Sequence, residues 1–217
     1  MDMIHAAKTR EDRLRRTGVR GRVWLALMGV FWLAGMGVGG ALETFCLLIE
    51  PKDGPAVKQV IKGARATALV PGKETRLGGV RYYTEAEFEA LGVSWAGFAR
   101  KAEATATRVL ATLKPEVTKD GKGFVTSAVF RGKSHLTAGV VLSPKFYEMF
   151  RSTMGDDLVL LIPDRFTVYV FPRPMGEYKA LGPKILEAYA AAVYPASYEV
   201  LLLNKDGLSA LGSFRAE

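Results

Sequence analysis

The chain has 217 residues, and its 30 Lys and Arg against 22 Asp and Glu give a net charge of +8 at pH 7. Seven basic and three acidic residues lie within the first 22 positions, so the rest of the chain carries only +4. That mild excess excludes the clustered basic surface of a nucleic-acid-binding protein. A single cysteine, Cys46, and only two histidines exclude an intramolecular disulfide, a thiolate zinc site and a His-rich metal site, and we expect no cofactor.

The first predicted element is an uncharged run of 20 residues, Val23 to Leu42. A helix of this length spans roughly 30 Å, the thickness of the hydrocarbon core of a bilayer. The basic residues 1–22 are then a cytoplasmic arm, and the chain after the run lies outside. We therefore expect a single-pass protein of the bacterial inner membrane, with the lipid bilayer and an unidentified protein as partners. A cleaved signal peptide of a secreted protein and a buried core helix are the alternatives.

Gly35 and Gly39 form a small-xxx-small pair within this run. Such a pair lets a second transmembrane helix approach closely, so a homo-oligomer formed through these two glycines is one hypothesis. The alternative is that the two glycines only lower helix propensity and make no contact.

Residues 43–79 read as a connector with some local structure, because prolines and glycines interrupt it repeatedly. Within it, residues 56–64 predict a short helix and residues 66–70 a short strand. Residues 80–217 are expected to form one domain.

Helices and hairpins alternate along this domain. The capping-box pattern from Thr84 to Glu87 predicts a short helix, and Ser143-Pro144 predicts the start of another. The predicted helices cover 85–91, 95–113, 144–154 and 176–192. The predicted strands cover 80–83, 124–130, 158–162, 167–171, 198–203 and 208–214. Because the strands pair as hairpins, the fold class is α+β with a mainly antiparallel sheet, and the hairpin 158–171 should lie at its centre.

Four segments resemble the YtpQ-like family, a bacterial domain family of unknown function. They are Tyr82 to Ser94, Leu142 to Tyr147, Gly155 to Arg165, and Tyr194 to Tyr198 together with Asp206-Gly207. The resemblance covers about Val80 to Phe214. It implies a folded domain of this type and supplies no catalytic residues to transfer.

Four polar residues form the candidate site: Asp164 and Arg165 in the hairpin turn, Arg173 after the hairpin, and His135. An arginine beside a carboxylate at one end of a hairpin can hold a polar ligand, although such residues more often form a surface turn. The sequence shows no assembled nucleophile, acid–base pair or metal motif. We therefore expect a membrane-anchored binding or accessory module. The alternative is a hydrolase-type enzyme whose site combines residues that are distant in sequence.

Overall fold

The computed structural model describes residues Thr44 to Arg215. The basic arm, the apolar run and its Gly35 and Gly39 lie outside the described residues, so the expectations attached to them stay predictions. Among residues 44–215, no helix is both long and apolar enough to cross a membrane.

Two antiparallel sheets organise the described residues. The first contains β1 (Phe45–Pro51), β2 (Gln59–Val60), β3 (Thr67–Glu74) and β4 (Val80–Tyr82). Strand β3 pairs with β1 on one side, and with β2 and then β4 on the other. The second contains β5 (Glu116–Lys119), β6 (Val125–Arg131), β7 (Leu158–Asp164), β8 (Thr167–Pro172), β9 (Glu199–Asn204) and β10 (Gly207–Ser213). Its order, β10-β9-β7-β8-β6-β5, confirms the α+β class and the central position of the β7–β8 hairpin.

Four α-helices accompany the sheets in this part of the chain. They are α1 (Glu85–Ala90), α2 (Trp95–Leu110), α3 (Pro144–Met154) and α4 (Gly182–Ala191). The predicted capping box is confirmed, because the Glu87 amide donates to Thr84 Oγ1 at 3.2 Å and the Thr84 amide donates to Glu87 Oε2 at 3.0 Å. The predicted helix 176–192 is divided into a 3-10 turn, Glu177–Leu181, and α4. Pro183 lacks an amide hydrogen, which suits it to the first turn of a new helix.

The expectation that residues 43–79 form a connector is wrong. Strand β1 is almost entirely buried, and its Cys46, Leu48 and Ile49 belong to the main hydrophobic core. The expected helix 56–64 is absent there, since Gln59–Val60 pair with β3 instead. The expected strand 66–70 is confirmed and extends to Glu74. A short apolar run bounded by turn residues is the pattern of a buried strand, and β1 follows it.

The core lies mainly between the two sheets. One face of the second sheet packs against β1 and α3 through side chains that include Phe130, Phe146 and Leu160. Its other face is covered by α4, where Ile185 meets Val159 and Leu161. On the outer side of the first sheet, α2 places Phe98 against Leu47 and Tyr83. The polar groups of β1 and of the β7–β8 turn are thereby brought to the same buried region.

Candidate functional site

The turn between β7 and β8 directs one arginine into the protein. Asp164 Oδ1 accepts a hydrogen bond from the Phe166 amide at 2.7 Å, which closes the turn around Arg165. The Arg165 amide donates to the Tyr194 carbonyl at 3.2 Å, and its carbonyl accepts from the Ala138 amide at 2.9 Å. With its backbone held on both sides, Arg165 is only 5% exposed, although it occupies a hairpin turn.

Arg165 forms a buried ion pair with Glu50 at the end of β1. Its Nε donates to Glu50 Oε1 at 2.7 Å, and each of the two side chains is 6% exposed. The hydroxyl of Tyr82 completes the group, because it accepts from Arg165 Nη2 and donates to Glu50 Oε2 at 3.2 Å. Since each charge has its partner and further hydrogen bonds, the pair meets the condition under which a buried ion pair is tolerated.

Two aromatic rings lie close to the guanidinium of Arg165. Its central carbon lies 4.9 Å from the ring centroid of Tyr194 and 5.5 Å from that of Tyr82. The ring of His135 packs edge-on against that of Tyr194, with 4.6 Å between the ring centroids. Its centroid lies 5.2 Å from that of Phe166. Aromatic rings at these distances attract the cation electrostatically.

Burial and mutual contact shift the pKa values of Glu50 and Arg165. Burial raises the pKa of Glu50, although hydrogen bonding to Arg165, the charge of Arg165 and hydrogen bonding to Tyr82 act in the opposite direction. Burial alone would lower the pKa of Arg165, but hydrogen bonding to Glu50 and the Glu50 charge outweigh it and raise that pKa. The 2.7 Å between Arg165 Nε and Glu50 Oε1 is the length of a charge-assisted hydrogen bond.

His135 lies beside this pair, against Phe166 and Tyr194. Burial lowers the pKa of its imidazole, and the positive charge of Arg165 lowers it further. Its Nδ1 atom is buried and has no hydrogen-bond partner within residues 44–215. The adjacent Ser134 hydroxyl accepts from the Leu136 amide at 3.1 Å and so stabilises a turn.

An open cleft of about 500 Å³ lies over the Glu50–Arg165–Tyr82 group. Its walls are mostly apolar and come from the end of β1, the loop after it and the loop before β9. They are formed by Pro51, Gly54, Pro55, Val193, Tyr194 and Pro195. Val193 is 84% exposed and Tyr194 is 39% exposed, so both are accessible from solvent. The volume falls within the range of small-molecule sites, which are largely apolar with a few polar groups.

The structure brings three of the four predicted site residues together. Asp164, Arg165 and His135 lie at the turn end of the hairpin, and Asp164 also pairs with Pro195 beside the cleft. Arg173 is not among them. It follows the end of β8, where Pro172 pairs with Leu158, and its Nη1 contacts Asp157 Oδ2 at 2.9 Å. A strand of seven residues separates the two ends by roughly 20 Å.

Glu50, Tyr82 and Tyr194 were absent from the predicted site. Glu50 carries the one signal that the sequence offers, a carboxylate at the end of the apolar run Phe45 to Ile49. A charge placed there is rarely buried without a partner. The identity of that partner depends on how the two sheets pack.

No group of three His, Cys, Asp or Glu side chains within residues 44–215 is arranged to hold a metal ion. Comparisons with protein-family models, with curated proteins and with solved structures find no match. The resemblance to the YtpQ-like family stays a prediction.

Proposed function

We propose that this chain is a membrane-anchored binding module whose ligand site is the cleft over Glu50, Arg165 and Tyr82. The cleft itself is the observation that carries the proposal. It combines an accessible apolar wall, formed by Val193 and Tyr194, with a polar floor held in place by the buried ion pair. Such a combination provides contact area for a ligand and fixes the ligand's orientation.

The charges at the cleft favour a neutral ligand. Among the described residues that line it, only Glu50 and Arg165 are charged, and they neutralise each other at 2.7 Å. A free carboxylate or ammonium would lose its hydration without meeting an unpaired counter-charge. A flat aromatic or proline ring fits better, because it can pack on Tyr194 and on the cleft prolines. An exposed aromatic or proline side chain of a protein partner has this chemistry.

The apolar run Val23 to Leu42 supports the anchoring part of the proposal, and its basic flank supports a cytoplasmic N-terminus. Reporter fusions at Glu217 test this part directly. A reporter that is active only on the extracytoplasmic side should be active in the fusion. A reporter that is active only in the cytoplasm should be silent. The reverse result would remove the anchoring part and leave the cleft proposal standing.

Ligand-observed NMR tests the cleft part, with the full chain in lipid nanodiscs and N-acetyl-tyrosinamide as a neutral aromatic probe. We expect saturation transfer to the probe above the level of empty nanodiscs, and weaker transfer to the anion N-acetyl-tyrosine. Tyr194→Ala should lose the signal, whereas Arg173→Ala, at the far end of the hairpin, should keep it. Equal signals from the two variants would refute the cleft as the binding site.

A further inference from the structure

The loop of the β3–β4 hairpin carries the most exposed large apolar side chain of the described residues. Leu77 is 99% exposed and lies in the loop Thr75 to Gly79 between Glu74 and Val80. The loop is closed by hydrogen bonds from the Thr75 amide to the Gly79 carbonyl and from the Gly78 amide to the Thr75 carbonyl. Gly78 has a φ of +78°, a conformation that glycine adopts without strain. Leu77 is thus held at the tip of an ordered loop.

A single exposed leucine is common on protein surfaces and says little by itself. The position of this one is what matters. Thr44 lies beside the base of the loop, because the Glu74 amide donates to the Thr44 carbonyl at 3.2 Å and Phe45 pairs with Lys73. Leu42, the end of the uncharged run, precedes Thr44 by two residues, which reach at most about 7 Å. The run is therefore joined to the domain through Thr44, at the base of this loop.

The same edge of the first sheet carries several cations. Arg76 is exposed next to Leu77, and Arg108 of α2 contacts Glu74 at 2.8 Å. Lys101 of α2 lies 4.8 Å from the ring centroid of Phe45, and Lys73 and Arg81 both approach Glu87. Besides Arg76 in the loop itself, these contacts place four cations, with the carboxylates of Glu74 and Glu87, around the loop and the start of β1. Basic residues beside an apolar side chain are the combination that anionic lipid surfaces attract.

We propose that the membrane-facing edge, defined as the loop Thr75–Gly79 with Arg76, Lys101 and Arg108, contacts an anionic bilayer surface, with Leu77 inserted between the lipid headgroups. This inference rests on the anchoring part of the proposed function. It also orients the domain, because β1 runs from Phe45 at this edge to Pro51 at the cleft. Its seven residues span roughly 20 Å, so the walls formed by Pro51 and Val193 point away from the lipid.

A fluorescent probe at position 77 tests the contact. The full chain with Leu77→Cys carries an environment-sensitive dye and is reconstituted into vesicles of anionic phosphatidylglycerol and zwitterionic phosphatidylcholine. Cys46 is buried, and burial raises the pKa of its thiol to about 12, so the native cysteine does not compete for the dye in the folded protein. The matched control is Val193→Cys, another highly exposed apolar position, at the cleft.

We expect the dye at position 77 to shift its emission to shorter wavelength and to be quenched by nitroxide placed at the lipid headgroups. The dye at position 193 should escape the nitroxide quenching, because this position lies at the cleft. Replacing Arg76 and Lys101 by Gln should reduce the quenching at position 77, and so should vesicles without anionic lipid. A chain that floats with the vesicles while position 77 behaves like position 193 would overturn the inference and leave the anchor intact. A chain that does not float with the vesicles would overturn both.

Discussion

The two ends of the β7–β8 hairpin each carry an arginine and an aspartate, yet they differ in almost every physical respect. At the turn, Arg165 is buried, pairs with Glu50 at 2.7 Å and has its cation close to the rings of Tyr82 and Tyr194. At the open end, Arg173 pairs with Asp157 at 2.9 Å, but the two side chains are 49% and 38% exposed. Similar distances thus accompany very different environments, so a contact distance alone does not indicate what an ion pair contributes.

The largest expected difference follows from removing each arginine. Arg165→Ala leaves the Glu50 carboxylate buried without its counter-charge, which should cost about 3–5 kcal/mol in the free energy of unfolding. Arg173→Ala removes a solvent-exposed pair and should cost under about 1 kcal/mol. Denaturant titration of the full chain, followed by the labelling rate of the buried Cys46 thiol, measures both. Equal losses would mean that burial does not distinguish the two ends.

Removing the whole buried group should cost less than removing Arg165 alone. The triple variant E50L/R165M/Y82F replaces all three polar side chains by apolar ones of similar size, so no charge or hydroxyl loses its partner. We expect its stability to exceed that of Arg165→Ala by at least about 1 kcal/mol, since buried ion pairs can often be replaced by apolar residues without loss. A triple variant less stable than Arg165→Ala would show that the polar group is required for packing.

Tyr82→Phe should have an intermediate effect. It removes the hydroxyl that accepts from Arg165 and donates to Glu50, while the aromatic ring over the guanidinium remains. Loss of hydrogen bonds to charged groups at this half-buried site should lower the free energy of unfolding by about 1–2 kcal/mol. Tyr178→Phe, on the opposite side of the second sheet against Phe171, is the matched control and should change stability less.

The smallest expected effect concerns the pH dependence at the open end. Hydrogen bonding to Arg173 and then to Asn204 lowers the pKa of Asp157 in the folded state. A lowered folded pKa means that the stabilisation is present above the unfolded pKa of about 3.9 and is lost as pH falls through the folded value. The stability gap between the unchanged chain and Asp157→Asn should therefore shrink between about pH 5 and pH 2. A gap that widens towards acid would contradict this direction.

Much of the fold could be predicted from local patterns, whereas the site could not. The capping box at Thr84 and the β7–β8 hairpin are encoded by neighbouring residues, and both were predicted correctly. Strand β5, with the sequence Glu-Val-Thr-Lys, was missed because it is exposed along its whole length and carries no apolar pattern. Strand β1 was hidden by the prolines and glycines that follow it, although its apolar run had the length of a buried strand.

The partner of Arg165 lies 115 positions away along the chain, so no local pattern identifies it. The error at Arg173 is of another kind, because the sequence contains the information to avoid it. A tight turn at Arg165 and Phe166 places position 173 at the opposite end of the hairpin, since each strand extends by roughly 3.3 Å per residue. The hairpin register alone thus separates the two arginines that a reading of charge had grouped together.

Methyl NMR of the full chain in nanodiscs, labelled on Val and Leu and titrated with N-acetyl-tyrosinamide, tests the central claim most directly. Val193 lines the cleft and is 84% exposed, whereas Val117 on the edge strand β5 is 46% exposed and lies away from the cleft-lining residues. We predict that the Val193 methyl signals shift and saturate with the probe while those of Val117 stay unchanged. Unmoved Val193 signals, or equal shifts at both positions, would contradict a binding site over Glu50, Arg165 and Tyr82.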